Sequence, residues 1–247
     1  MIKDKYYFVA DTHLGVPNYD ESLKREKALV RFLLEAEKDA KAIYLLGDIF
    51  DFWHEYKNVV PKYYVRLLGT LASIVDRGTE VHFFTGNHDQ WIGDYFEKEI
   101  GMIVHKEEII KEIGGKMFLL AHGDGIDKKD RVYRIMKAFF NSKITRVLFA
   151  AIHPRWAIAF GNRWSSSSRK SHSEYDFIDK GEKEPHFQYC TEKIKTTDID
   201  YFIFGHRHLN KEYWVGENRK LIILSDWVYG SGYALWDGKN LELKKFE

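Results

Sequence analysis

Six short runs rich in β-branched and aromatic residues punctuate this chain, and each of the first five ends in a cluster of Asp, Asn or His. The runs are Tyr6–Ala10, Ala42–Leu46, Glu80–Thr85, Lys116–Ala121, Tyr201–Phe204 and Lys220–Leu224. Each has the length of a buried strand and is too short for a buried helix. Between the first two, Leu23–Ala40 sets Leu29, Phe32, Leu33 and Ala36 on one helical face; Val60–Arg77 does the same with Tyr64, Leu67, Leu68, Leu71 and Ile74. Strands alternating with amphipathic helices specify a layered α/β fold. Asp237-Gly238, between Tyr233–Trp236 and Leu241–Phe246, predicts a closing β-hairpin.

A length of 247 residues suits one domain with a large core, so residues 1–247 are expected to form a single unit. No apolar run approaches the roughly 18 residues of a membrane-spanning helix. The start, Met1 to Lys5, lacks the pattern of a secretory signal, and Cys190 is the sole cysteine, which excludes an intrachain disulfide framework. The cytoplasm is the expected compartment. The net charge of +1 hides an asymmetry: Arg131–Lys170 holds nine cations and no acid, leaving 29 cations against 37 acids elsewhere. A basic block with interleaved aromatic residues on an acidic body points to phosphate or an anionic surface. The block is predicted to be helical through about Phe149, to break at His153-Pro154 and to pass into a loop at Ser165–Ser168. It is expected to be a helical lid inserted at 128–172.

The chemistry follows the strands. After the first comes Asp11-Thr12-His13, after the second Gly47-Asp48-Ile49-Phe50-Asp51, after the third Gly86-Asn87-His88-Asp89, after the fourth His122-Gly123-Asp124, and after the fifth Gly205-His206-Arg207-His208. Carboxyl ends of strands in such sheets converge on one crevice. Buried carboxylates are costly unless paired or bound to metal. Seven candidates, Asp11, His13, Asp48, Asn87, His122, His206 and His208, exceed the ligand set of one ion and suit two sharing a carboxylate. Oxygen and imidazole donors without thiolate accept Mn, Fe, Zn or Mg. Two such ions activate a water and clamp both oxygens of an in-line displacement at phosphorus. Of the other histidines, His82, His105, His153 and His186 are read as packing residues, with His54 and His172 set apart as exceptions.

This ordered set resembles the calcineurin-like metallophosphoesterase family, whose pattern is D-x-H, G-D-x-x-D/E, G-N-H-D/E, an H and G-x-H-x-H. The resemblance runs from about Tyr6 to Leu224 and implies a four-layer α/β/β/α sandwich. It implies that Asp11, His13 and His208 hold one ion, that Asn87, His122 and His206 hold the other, and that Asp48 bridges. Two divalent ions follow, with Mn2+ favoured over Fe, Zn or Mg. The catalytic residues it implies are Asp48 and His88, the latter an imidazole beside the ions that aids the phosphoryl oxygens or the leaving group. Asp51 and Asp89 are either partners that orient ligands or ordinary turn acids.

Within that family the chain most resembles the UDP-2,3-diacylglucosamine hydrolases of lipid A synthesis, through Gly47–Trp53, His122–Asp124 with Asp130 beyond, and the Ser/Arg/Lys end of the insert. A UDP-linked glycolipid substrate is implied, cleaved at its pyrophosphate to UMP and 2,3-diacylglucosamine 1-phosphate. Asp130, Arg163, Ser165, Ser166, Arg169 and Lys170 are the implied substrate-binding residues. Leu148, Phe149, Ile152, Trp156, Ile158 and Phe160 suit acyl chains or a helix–helix core. The chain would act in the cytoplasm, peripherally at the anionic inner face of the membrane. His88 stands where the better-known branch of these hydrolases carries Arg. Together with Asp11–Gly15 it also fits DNA-repair exonucleases of the same family, although the acidic body argues against nucleic acid.

Overall fold

The computed structural model describes residues 2–127, 135, 137–140, 142–161 and 178–247. Two sheets face each other. The first has the order β11-β10-β1-β2-β3-β4, built from β1 (Lys5–Val9), β2 (Ala40–Leu45), β3 (Glu80–Phe84), β4 (Ile103–His105), β10 (Gly232–Trp236) and β11 (Leu241–Lys245). The second has the order β5-β6-β7-β9-β8, from β5 (Ile109–Ile113), β6 (Lys116–Ala121), β7 (Tyr201–Phe204), β8 (Lys211–Val215) and β9 (Arg219–Ile223). β1 to β4 run parallel, as do β6, β7 and β9. The central carboxyl ends therefore open on one side.

The two-residue period of each strand builds the layers. Tyr6, Phe8, Ala42 and Tyr44 point inward to meet Phe118, Leu120, Ile203 and Ile222 of the second sheet. Tyr7, Val9, Ile43 and Leu45 point outward against Leu29, Phe32 and Leu33 of α1 (Tyr19–Ala36) and Leu67, Leu71 and Ile74 of α2 (Val65–Asp76). On the far side, Leu119, Phe202, Phe204 and Leu221 bury Cys190 of α5 (Pro185–Lys193). The result is the expected α/β/β/α sandwich.

Element boundaries shift for identifiable reasons. Asn18 accepts the Glu21 backbone N–H at 3.0 Å, so α1 begins at Tyr19 and not at Leu23. Pro61 disfavours helix at Val60, and Tyr64 sits in the left-handed region at φ 67°, so α2 begins only at Val65. In the insert, α3 (Lys143–Ala150) is followed by α4 (154–161), with Pro154 at its first turn as the His153-Pro154 break predicts. Strands β4, β5 and β8 escape the sequence reading. All three are half-solvated sheet edges: β5 and β8 are dotted with Lys and Glu and so lack an apolar run, and β4, at three residues, is too short to register as one. No described helix is long and apolar enough to cross a membrane.

Phe8 is fully buried and stacks on Tyr44 at 5.0 Å and on Phe118 at 5.8 Å, joining the two sheets. Phe8→Ala should cost about 3–5 kcal/mol, read by urea denaturation. A loss below about 1 kcal/mol would mean that the sheets can close the gap.

Candidate metal centre

The loops following β1, β2, β3, β6 and β7 meet at that open side. Asp11 and Asp48 lie at its centre, both buried. Asp48 Oδ2 is 3.3 Å from His122 Nε2, 4.0 Å from His13 Nε2 and 3.9 Å from His88 Nε2. One carboxylate oxygen thus faces two groups of ligand atoms. In the first group, His13 Nε2 lies 3.3 Å from His208 Nε2, and Asp11 Oδ1 lies 3.2 Å from His208 Nε2 and 3.8 Å from His13 Nε2. In the second, the ligand atoms of Asp48, His122 and His206 all fall within 4.8 Å of one another, and Asn87 Oδ1 is 3.2 Å from His122 Nε2. All seven residues singled out in the sequence come together here.

The surroundings fix how these groups point. His122 Nδ1 bonds the Leu46 carbonyl at 2.8 Å, which turns Nε2 toward Asp48. His88 Nδ1 does the same with the Asp51 carbonyl at 3.0 Å, leaving Nε2 toward the site. The Asp51 carboxylate lies 3.5 Å from His13 Nδ1 and 3.8 Å from His88 Nδ1. Asp89 serves differently: its carboxylate accepts backbone N–H bonds from Gly86 at 2.7 Å and Ile49 at 2.9 Å, tying the third loop to the second.

The backbone is strained where the ligands sit. Among the described residues, seven non-glycine positions have positive φ, and five of them are Asp11, His13, Asp48, His206 and His208. Such conformations cost about 1–3 kcal/mol each and persist only when neighbours over-determine them. Two glycines let the loops approach: a Cβ on Gly86 would collide with the Asp48 carboxylate, and one on Gly205 would lie 2.5 Å from Asp11 Oδ2.

Burial alone would raise both carboxyls. His208 and His122 nonetheless hold Asp11 low, and His122, His88 and His13 hold Asp48 well below the usual carboxylate range. Burial disfavours charge on the imidazoles. It takes His13 to about 3 and, with charge on His122, His206 to about 4. At His122 the pull of Asp48 and Asp11 outweighs burial and lifts it to about 10, and Asp11 likewise raises His208. Burial and the charge of Asp48 push Asp89 up to about 7.

The residues fit divalent cations on two grounds. Asp11 Oδ1 is buried beside the imidazoles of His208 and His13, and the nitrogens of those two histidines aim at one another at 3.3 Å. Oxygen and imidazole donors in two groups about a shared carboxylate are the donor chemistry of a dinuclear site.

The insert spans the rim. Trp91 Nε1 donates to the Phe140 carbonyl at 2.9 Å, Arg146 to the Gln90 carbonyl at 3.1 Å and Tyr56 Oη to the Ile152 carbonyl at 3.2 Å, while Lys137 pairs with Asp124. Phe149 is buried against Trp91, with its ring 4.9 Å from that of His54, so it anchors the insert instead of facing outward. Asp130, Arg163, Ser165, Ser166, Arg169, Lys170 and His172 lie outside the described residues. In the sequence Asp124 belongs to the cluster after the fourth strand, and Trp227, with Asp226 just past the last core strand, is only a candidate for lining the site. The Trp227 N–H donates to the Asp11 carbonyl at 3.0 Å, a long-range contact with no local signal.

Comparison with known proteins agrees with this geometry. Residues 5–210 match the calcineurin-like phosphoesterase family. The chain is 38% identical over its full length to UDP-2,3-diacylglucosamine hydrolase of Porphyromonas gingivalis, covering 99% of that protein. It is 28% identical over 90% of its length to the Neisseria meningitidis protein of the same name, covering 89% of that chain. A dimetal phosphatase from Danio rerio shares the fold at a TM-score of 0.50 and 11% identity, with both chains fully covered. With five motifs in order, their side chains gathered at one centre and most of its length matched, the chain belongs to the calcineurin-like phosphoesterase family.

Proposed function

We propose that this hydrolase cleaves the pyrophosphate of UDP-2,3-diacylglucosamine, giving UMP and 2,3-diacylglucosamine 1-phosphate. The observation that carries the reading is Asp48 Oδ2 facing both ligand groups, in a chain 38% identical end to end to a protein of that name. Asp11, His13 and His208 would hold one divalent ion, Asn87, His122 and His206 the second, and Asp48 would join them. Mn2+ is the ion favoured for the cell. Bound ions of this kind offset charge on a phosphoryl group and lower the pKa of water.

The chain's own residues do the rest. Asp48 keeps the two ligand groups in register. His88 Nε2, turned inward by its Nδ1 bond to the Asp51 carbonyl, would give a proton to the departing sugar 1-phosphate. Water supplies the oxygen that joins the uridine-side phosphorus, and the bond from that phosphorus to the bridging oxygen breaks. Asp130, Arg163, Ser165, Ser166, Arg169 and Lys170 would bind sugar and phosphates. Residues 128–172 would act as the lid of a single domain. On the described part of the insert, Ile144, Leu148, Trp156 and Phe160 are 73%, 65%, 68% and 54% exposed, and Arg155 lies beside Trp156. An apolar face with cations suits acyl chains and the anionic inner face of the membrane, at which the chain would work from the cytoplasm.

The direct test is mass spectrometry of the products from UDP-2,3-diacylglucosamine with Mn2+. UMP and the 1-phosphate are expected, and the pair Leu148→Ser with Trp156→Ser should depress this turnover far more than hydrolysis of a small chromogenic phosphodiester. Cleavage of DNA without hydrolysis of the glycolipid would overturn the reading. Asp48→Ala should lose metal and turnover together, whereas His88→Ala should keep two ions, counted by elemental analysis, and lose about 10²–10⁴ in rate. Protons and cations also compete for the same pairs. With His122 raised to about 10 it carries a proton at neutral pH, and Asp11 shifts His208 in the same direction, so metal uptake at His122 must release a proton. Affinity for Mn2+ should therefore tighten as pH rises from 6 toward 9, and calorimetry in buffers of different ionisation enthalpy should show net proton release; none at pH 7 would contradict the assignment.

A further inference from the structure

The buried face of α1 is not wholly apolar. Ser22, Arg25 and Glu26 are buried together with Leu29, Phe32, Leu33 and Ala36, at the three- and four-residue spacing of one helical face. Each of the three polar side chains reaches backbone. The Ser22 hydroxyl accepts the Gly15 N–H at 2.7 Å. Glu26 accepts the N–H groups of Arg66 and Leu67 at 3.0 and 3.1 Å, at the start of α2. Arg25, only 8% exposed, donates Nε to the Thr12 carbonyl at 2.7 Å and Nη2 to the His13 carbonyl at 2.8 Å, and Nη2 also reaches the Val16 carbonyl.

These contacts add to the backbone bonds of the first loop. The N–H groups of Asp11, His13 and Leu14 go to Gly47, Asp48 and Ile49 of the second loop. The Asp11 carbonyl takes the Trp227 N–H, and that of Leu14 takes the Asp51 N–H and the Tyr64 hydroxyl. The carbonyls of Thr12, His13 and Val16 all go to one guanidinium. The held segment includes Asp11 at φ 55° and His13 at φ 41°, which the chain would leave if released. Burying a guanidinium is costly, so a role confined to packing would be served better by an apolar side chain.

We infer that Arg25 is the positioning residue for the ion held by Asp11, His13 and His208, fixing the aim of His13 through its own carbonyl and that of Asp11 through the carbonyl of Thr12 beside it. Its hydrogen bonds go to the first loop alone, so its influence falls on one ion and not on the ion at Asn87, His122 and His206. The planar fork matters, because a lysine ammonium cannot serve three carbonyls in that arrangement. The inference rests on the dinuclear reading above.

The test titrates metal-free protein with Mn2+ by calorimetry and electron paramagnetic resonance, for the parent chain, Arg25→Lys and Arg25→Met. Two binding steps are expected in the parent. In the variants one step should weaken by about 10–100-fold while the other holds, with lysine closer to the parent than methionine. Excess Mn2+ should restore turnover in the variants and leave the parent unmoved. A parent that takes up fewer than two ions refutes the dinuclear reading itself. A parent with two steps and a folded Arg25→Lys with both steps intact refutes the role of Arg25, as does equal weakening of both steps alongside a lowered melting temperature. Should Arg25→Met fail to fold, Arg25→Lys alone decides.

Discussion

Two aspartates, Asp11 and Asp48, are buried where β1 and β2 end, and most of the surrounding structure makes that burial tolerable. A carboxylate withdrawn from water needs charge or donors around it. Here imidazoles supply them, with His122 against Asp48 and His208 against Asp11. The same pairs that favour protons in the chain by itself suit divalent cations, since both neutralise a buried carboxylate. Chemistry and stability therefore meet at the same atoms.

That centre could not be held by any one element. Five of the candidate ligands sit on backbone in the left-handed region, a conformation that side chains with a Cβ avoid. It persists because loops hold loops: Asp89 binds the second to the third, Trp227 secures the first from the carboxyl-terminal side, and Arg25 and Ser22 hold the first from α1. Each tie is a side chain or amide spent on backbone groups, which would otherwise be buried without partners.

The insert is a separate problem laid over this frame. Trp91, Phe149 and Ala157 bury one side of it against the body, while Ile144, Leu148 and Trp156 face solvent. A shared frame hosts many functions, which depend on the side chains grafted onto it. Here the addition is aromatic, apolar and basic, and it is fastened to the loops that carry Asn87, His88 and Asp124.

The sequence by itself determined the central strands, the two amphipathic helices and all seven metal-ligand candidates, because each is a local pattern: an apolar run, a helical face, a polar cluster where a strand stops. His153-Pro154 was legible for the same reason, since proline acts on its own neighbours. Edge strands such as Lys211–Val215 were not, because half-solvated strands carry no apolar run. Nor were the offices of Arg25, Asp89 and Trp227, whose partners are backbone groups brought near by the fold and leave no mark in spacing. Which oxygen of Asp48 faces both ligand groups, and which imidazoles take protons beside it, was decided by tertiary structure alone. Such properties depend on ångström distances between strands remote in sequence, and only the packed sheets set those distances.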